Sequence, residues 1–204
     1  MPLYRDFSDE IATILVWKYD ETDDLRLEEL LEPENADKVK DYHPKKLLEV
    51  LMVRKMLKSL KPNSKILYRE REPYLDTQDA EISITHSFPY AAIAVSKNKI
   101  GIDVEKFNPK ILRLIDKFTY ENERGFIPEN KADTFYTIIW SVKESMYKIH
   151  HSKYWSLKKN YEVKPFELDY LDSISCRVYD SEFSDEFKAR VKFFDDYCFT
   201  IVEE

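Results

Sequence analysis

Two helical patterns, each led by a strand-like run and followed by three more, constrain the fold of this 204-residue chain more than any other feature. In the first half IATILVWKY (residues 11–19) reads as a strand. PKKLLEVLMVRKMLKSL (residues 44–60) repeats Leu47, Leu48, Leu51, Leu57 and Leu60 at helical spacing. SKILYRE, AEISITHS and YAAIAVS follow as short strands. The second half runs in the same order: KIGIDVE as a strand, a helical stretch from Phe118, the long helix ADTFYTIIWSVKESMYKIHH, then SISCRVYD, FKARVKFF and YCFTIVEE as strands. The last two form a hairpin through Asp195 and Asp196. These patterns predict an α+β fold of two similar α/β subdomains, each a strand, helices and a three-stranded antiparallel sheet, related by a pseudo-twofold axis. The expected boundaries are 1–98 and 99–204. The halves share an order of elements and no sequence identity, and a cleft between two such halves is a common place for a ligand.

Composition narrows the classes of function. Forty-three per cent hydrophobic and 14% aromatic residues indicate a folded chain, not a disordered one. Apolar runs such as YAAIAV are too short to span a bilayer, and MPLYRDFSDE holds no apolar signal segment, so a cytoplasmic protein with no membrane partner is expected. A net charge of −7 argues against generic nucleic-acid binding, although basic residues cluster at 38–46 and 54–65. Cys176 and Cys198 lie far apart in strand-like runs, which suits buried hydrophobes better than a disulfide framework or a zinc site.

IGIDVE (residues 100–105) contains one of two glycines in the chain and sets acids at alternate positions. Ile100, Ile102 and Val104 face one way in a strand; Gly101, Asp103 and Glu105 face the other. The apolar set is expected to pack on helices, leaving two mutually repelling carboxylates together on the opposite face. A hard cation such as Mg²⁺ relieves that repulsion, whereas an ordinary half-exposed strand would turn its acids to water. The long helix offers a third ligand. Phe135, Ile138, Ile139, Val142, Met146 and Ile149 mark its core stripe, and Glu144 and Lys148 are neighbours on the far side. Such a pair also suits a solvated helix, where it contributes about 0.2–0.5 kcal/mol. Trp140 and Tyr147 beside it indicate a covered face. Asp103, Glu105 and Glu144 would then hold the ion and Lys148 would await an anion, a set suited to a phosphorylated substrate and phosphoryl-group chemistry.

IGIDVE and WSVKESMYK together resemble the signature (V/I)G(I/V)D(I/V)E followed by (F/W)(S/C/T)xKE(S/A)xxK of the 4'-phosphopantetheinyl transferase superfamily, matching at every defined position. ISITHS (residues 82–87) resembles its ISHS element, EREPYL (residues 70–75) its Gly-Lys-Pro-Tyr segment, and KKLLEVLMVRKML its charged N-terminal helix. The length is similar to that of the single-chain, pseudo-dimeric type of about 200 residues, hence a monomer. The resemblance implies transfer of the 4'-phosphopantetheine arm of coenzyme A to a serine of an apo acyl or peptidyl carrier protein, a holo-carrier-protein synthase activity that releases 3',5'-ADP. Fatty-acid, polyketide or nonribosomal peptide synthesis would be served. It also implies Mg²⁺ on Asp103, Glu105 and Glu144, a phosphate contact from Lys148, and coenzyme A contacts from His86 with Ser87, Lys45, Lys46 and Arg54. Glu144 and Lys148 would act in catalysis with Glu123 as the base for the serine, Glu121 being close enough to be confused with it. Carrier proteins of this kind are generally acidic, so a local basic or apolar patch is expected to receive them.

Two departures stand out. Where the family has a glycine before Lys-Pro, this chain has Arg71, Glu72 and Pro73, side chains where backbone would come close to a ligand. Where the family often has Gly-Lys-Gly after the helix, this chain reads IHHSKYWSL. Adjacent side chains on a helix diverge by about 100°, so His150 and His151 are expected at a helix C-terminus and not on one ion. A non-catalytic homologue that binds coenzyme A or a carrier, and a Mg-dependent phosphoester hydrolase, are the competing functions.

Overall fold

The computed structural model describes residues 3–150 and 156–204. The chain divides into two compact units, Met1–Lys99 and Ile100–Glu204.

The first unit contains β1 (Leu3–Asp6), β2 (Ala12–Lys18), the single turns α1 (Leu27–Leu30) and α2 (Ala36–Val39), α3 (Pro44–Leu60), β3 (Ile66–Arg69), β4 (Glu72–Leu75), β5 (Glu81–Ser87) and β6 (Tyr90–Ser96). Four strands form an antiparallel sheet in the order β1-β2-β6-β5, and β3 and β4 form a separate hairpin. Helix α3 starts where the sequence supplies a cap: His43 Nδ1 accepts from the Lys45 N–H at 3.3 Å, and Pro44 follows at the first helical position. The register places Leu15 and Ile84 on either side of Ile93, and Trp17 opposite Ala91, so one face gathers large side chains. Met52, Val53, Met56 and Leu57 of α3 close over that face. Of the leucines expected in the core, Leu51 and Leu57 are buried while Leu47, Leu48 and Leu60 are half-covered. Two methionines and a valine complete the stripe.

The second unit contains β7 (Ile100–Lys106), α4 (Ile115–Phe118), α5 (Ala132–Ile149), α6 (Leu157–Asn160), β8 (Tyr161–Val163), β9 (Ile174–Tyr179), β10 (Ser184–Phe194) and β11 (Tyr197–Glu203). Its five strands form one antiparallel sheet in the order β7-β11-β10-β9-β8. The β10–β11 hairpin turns at Asp195 and Asp196, with Asp195 in the left-handed region at φ 48°, as a two-residue turn demands. Helix α5 lies across one face and packs Ile138, Ile139, Val142 and Met146 onto Cys176, Val191, Cys198 and Val202. Both cysteines are free and buried.

The α+β class, with an α/β unit in each half, is as expected. The sheets are larger than the three strands expected: the leading strands β2 and β7 join them, as do the exposed edge β1 (LYRD) and the three-residue β8, which carry no alternating signal, while β3, expected in the first sheet, pairs with β4 instead. The helical stretch expected from Phe118 ends there instead: α4 precedes it, and Thr119 turns extended at φ −109°, ψ 143°. Among the described residues, no helix is long and apolar enough to cross a membrane.

Candidate functional site

Gly101 sets the depth of the site. A Cβ there would stand 2.0 Å from the Ser145 carbonyl oxygen, so α5 runs directly over β7 and only glycine admits it. The helix therefore covers the face that carries Asp103 and Glu105. This corrects the expectation that helices pack on the apolar face and leave the acids on an open one; Ile100, Ile102 and Val104 are buried as well. Small polar side chains make the contact tolerable, since a buried carboxylate needs hydrogen bonds. Ser141 Oγ donates to Asp103 Oδ2 at 2.9 Å. Thr200, opposite Asp103 on β11, donates to the Ser141 carbonyl at 3.0 Å and meets Ser145 Oγ at 2.6 Å.

Lys148 projects from the last turn of α5 onto the same carboxylate. Its Nζ donates to Asp103 Oδ1 at 2.9 Å and to the Ile102 carbonyl at 2.8 Å, with 27% of the side chain exposed. Trp140 Nε1 donates to Glu105 Oε1 at 2.9 Å. Burial, then the charges of Asp103 and Glu144, push the Glu105 carboxyl up to about 7. Burial and the charge of Asp103 also raise Glu144. The three acids are thus close enough to feel one another, in surroundings that disfavour their combined charge.

In kind, these donors fit a hard cation, which takes carboxylate oxygens and offsets such repulsion. As placed, they are not gathered: among the described residues no three His, Cys, Asp or Glu side chains stand close enough to hold a metal ion. The ammonium of Lys148 accompanies Asp103 instead.

Glu123 and Lys143 form a second, fully enclosed pair. Lys143 Nζ donates to Glu123 Oε2 at 2.7 Å, to the Phe118 carbonyl at 2.7 Å and to the Leu157 carbonyl at 3.2 Å, using all three of its protons. Glu123 Oε2 also accepts from the Tyr120 N–H at 2.8 Å, and Oε1 from the Val163 N–H at 2.9 Å. Burial pulls the Lys143 pKa down, against the opposing charge of Glu123. Glu123, expected as a base, is 1% exposed, whereas Glu121 is exposed. The role of Lys143 was not read from the sequence, although a lysine four residues after Ile139 of the apolar stripe was the signal for it.

The first unit holds a cavity of about 320 Å³ lined by Lys38, Tyr42, Lys46, Tyr68, Arg71 and His86, among others. Of the expected coenzyme A contacts, Lys46, Arg54 and His86 line it. The Arg54 guanidinium is drawn into the wall, its Nε donating to buried Glu32 at 2.8 Å. Lys45 is exposed, over the Phe88 ring at 5.1 Å, and neither it nor Ser87 is on the lining. The segment without glycine is the β3–β4 turn, where Glu70 takes φ 57° and both Glu70 and Arg71 line the cavity. His150 caps α5, its Nε2 donating to Asp185 at 2.9 Å and its ring stacked on Phe183. His151 lies outside the described residues.

Known proteins share parts of this sequence. A family model described as the 4'-phosphopantetheinyl transferase superfamily matches residues 99–202. The chain is 30% identical over 117 residues to 4'-phosphopantetheinyl transferase gsp of Aneurinibacillus migulanus, covering 54% of this chain and 49% of that protein. It is 34% identical over 77 residues to 4'-phosphopantetheinyl transferase Sfp of Bacillus subtilis (strain 168), covering 36% and 34%. The chain thus matches about half the length, or less, of these curated relatives.

Proposed function

This chain belongs to the 4'-phosphopantetheinyl transferase superfamily, and from that premise we propose that it transfers the 4'-phosphopantetheine arm of coenzyme A to a serine of an apo acyl or peptidyl carrier protein. The observation that carries the proposal is the meeting of Lys148 with Asp103, beside Glu105 and Glu144. The two signature segments, some 35 residues apart in sequence, bring the Lys148 ammonium onto Asp103, with Glu105 and Glu144 near enough to feel the charge of that carboxylate.

Asp103, Glu105 and Glu144 would hold Mg²⁺, which when bound would offset charge on the pyrophosphate and on the departing oxygen. The Lys148 ammonium would stand against the transferring phosphate. In the reaction the serine Oγ bonds to the pantetheine-side phosphorus. The bond from that phosphorus to the bridging oxygen breaks, 3',5'-ADP leaves with the electron pair, and the serine proton passes to a carboxylate or water. The cavity of the first unit, with cations and the rings of Tyr42 and Tyr68 in its wall, would take the phosphorylated nucleotide end.

The test is incubation with coenzyme A, Mg²⁺ and a panel of apo carrier proteins, each carrier then weighed intact. Addition of phosphopantetheine that is lost with EDTA and with Asp103→Ala supports the transferase. Coenzyme A binding with no addition to any carrier would favour a non-catalytic homologue, and coenzyme A cleavage without a carrier would favour a hydrolase.

A further inference from the structure

Helix α3 places a carboxylate where its buried stripe calls for an apolar side chain. Glu49 is 8% exposed, next to Val50, Met52 and Val53. Burying a carboxylate is costly unless its oxygens are occupied, and both are. Oε1 accepts from the Phe88 N–H at 3.0 Å, which fixes the plane of the carboxylate against backbone. Oε2 lies 3.0 Å from His86 Nδ1. Burial works to raise the Glu49 pKa, and the hydrogen bond from His86, with Lys46 and the Phe88 N–H, outweighs it.

We propose that Glu49 is a positioning residue that acts through His86: it accepts from Nδ1–H, so that the Nε2 lone pair faces Lys46 and holds that ammonium toward an anionic group in the cavity of the first unit. The assignment rests on the function proposed above, in which that cavity takes the phosphorylated end of coenzyme A. A ring nitrogen that gives its proton to a carboxylate settles the tautomer, and the other nitrogen becomes the working atom. Here the working atom already has a cationic neighbour: Nε2 contacts Lys46 Nζ, which itself lies 3.9 Å from Glu49. Glu49, His86 and Lys46 all line the cavity, so carboxylate, imidazole and ammonium form one connected row in its wall. An arriving phosphate would meet the Lys46 ammonium at the end of that row, already held in place by His86. Glu49 acts through His86 and touches no reacting atom.

Two measurements on the full chain test this. Long-range proton–nitrogen spectra of wild-type protein should show His86 protonated at Nδ1 and bare at Nε2; a proton on Nε2 overturns the assignment. Calorimetric coenzyme A binding is then measured for wild type, Glu49→Gln, His86→Ala and the double variant. E49Q is expected to weaken binding about tenfold, a loss that vanishes in the His86→Ala background, as coupled neighbours require. In turnover the loss falls on KM for coenzyme A and not on kcat. An equal loss with and without His86 gives Glu49 a merely structural role and overturns the proposal. Wild-type protein that binds no coenzyme A overturns the function assigned to the cavity, and this assignment with it, even where the tautomer holds. The spectra need no variant, so the test can fail even if E49Q does not fold.

Discussion

A glutamate that takes a proton from a serine needs an oxygen facing it, and both oxygens of Glu123 are occupied by Lys143 and two backbone N–H groups. The pair ties α5 to the segment around Phe118 and to β8. Removing one partner of a buried pair strands the other charge, at a cost of about 3–5 kcal/mol. Glu123→Gln is therefore expected to lower the thermal midpoint by about 10 °C or more, read by calorimetry. Unchanged stability with turnover lost would return Glu123 to the role of base. Glu121→Gln is the contrast: wild-type melting with turnover down about 10²-fold or more would identify Glu121 as the proton acceptor. Lys148 differs from both, since its partly exposed ammonium holds Asp103 without being enclosed. Lys148→Met should keep the fold and lower kcat by about 10²–10³-fold, the scale for losing a donor aimed at developing charge. A kcat within a few-fold of wild type would remove Lys148 from the chemistry.

At the scale of elements, the seating of α5 on β7 decides whether the site exists. An alanine at Gly101 would bring its Cβ to 2.0 Å from Ser145 O and 3.4 Å from Ile149 Cβ, so the helix must lift, taking Ser141, Glu144 and Lys148 with it. Gly101→Ala should cost about 1–3 kcal/mol in urea denaturation, as overpacking does. It should also lower turnover by about 10²-fold, because misplacement of roughly 1 Å has that effect. Gly125→Ala, whose Cβ meets only Asn122 O at 3.9 Å, is the control expected to match wild type. A wild-type G101A would mean that the helix seat is not limiting. The stripe of α5 and the acids of β7 were legible because period and motif are local properties. Which face of β7 the helix would cover was not, since alternation separates two faces without saying what lies on either, and here both are buried. Glu49 was hidden for a related reason: a carboxylate in a leucine-rich helix reads as a surface position until its partner, 37 residues further along on β5, is brought beside it. The cavity likewise draws on α2, α3, the β3–β4 turn and β5, which no periodicity links.

For the whole molecule, the net charge of −7 sets how acid acts on stability. Exposed carboxylates that gain protons relieve general repulsion, whereas carboxylates held by cations lose their partners. Glu49 and Glu162 are of the second kind. Glu162 on β8 accepts from Arg177 Nε at 2.5 Å, Lys164 Nζ at 2.8 Å and Asn122 Nδ2 at 2.7 Å. Burial works to raise its pKa, and the hydrogen bonds from Lys164 and Arg177 outweigh it and hold it below the ordinary 4.5. A folded-state pKa below the unfolded one means that the unfolded chain binds more protons in that window. The stabilisation is then complete above about pH 4.5 and is lost as pH falls through the folded value. Glu162→Gln should accordingly be less stable than wild type at pH 7, and the gap should narrow as denaturation midpoints are followed from pH 5 to pH 3. A gap that stays constant across that range would show that Glu162 contributes through packing alone, leaving the acid limb to other carboxylates, Glu49 among them.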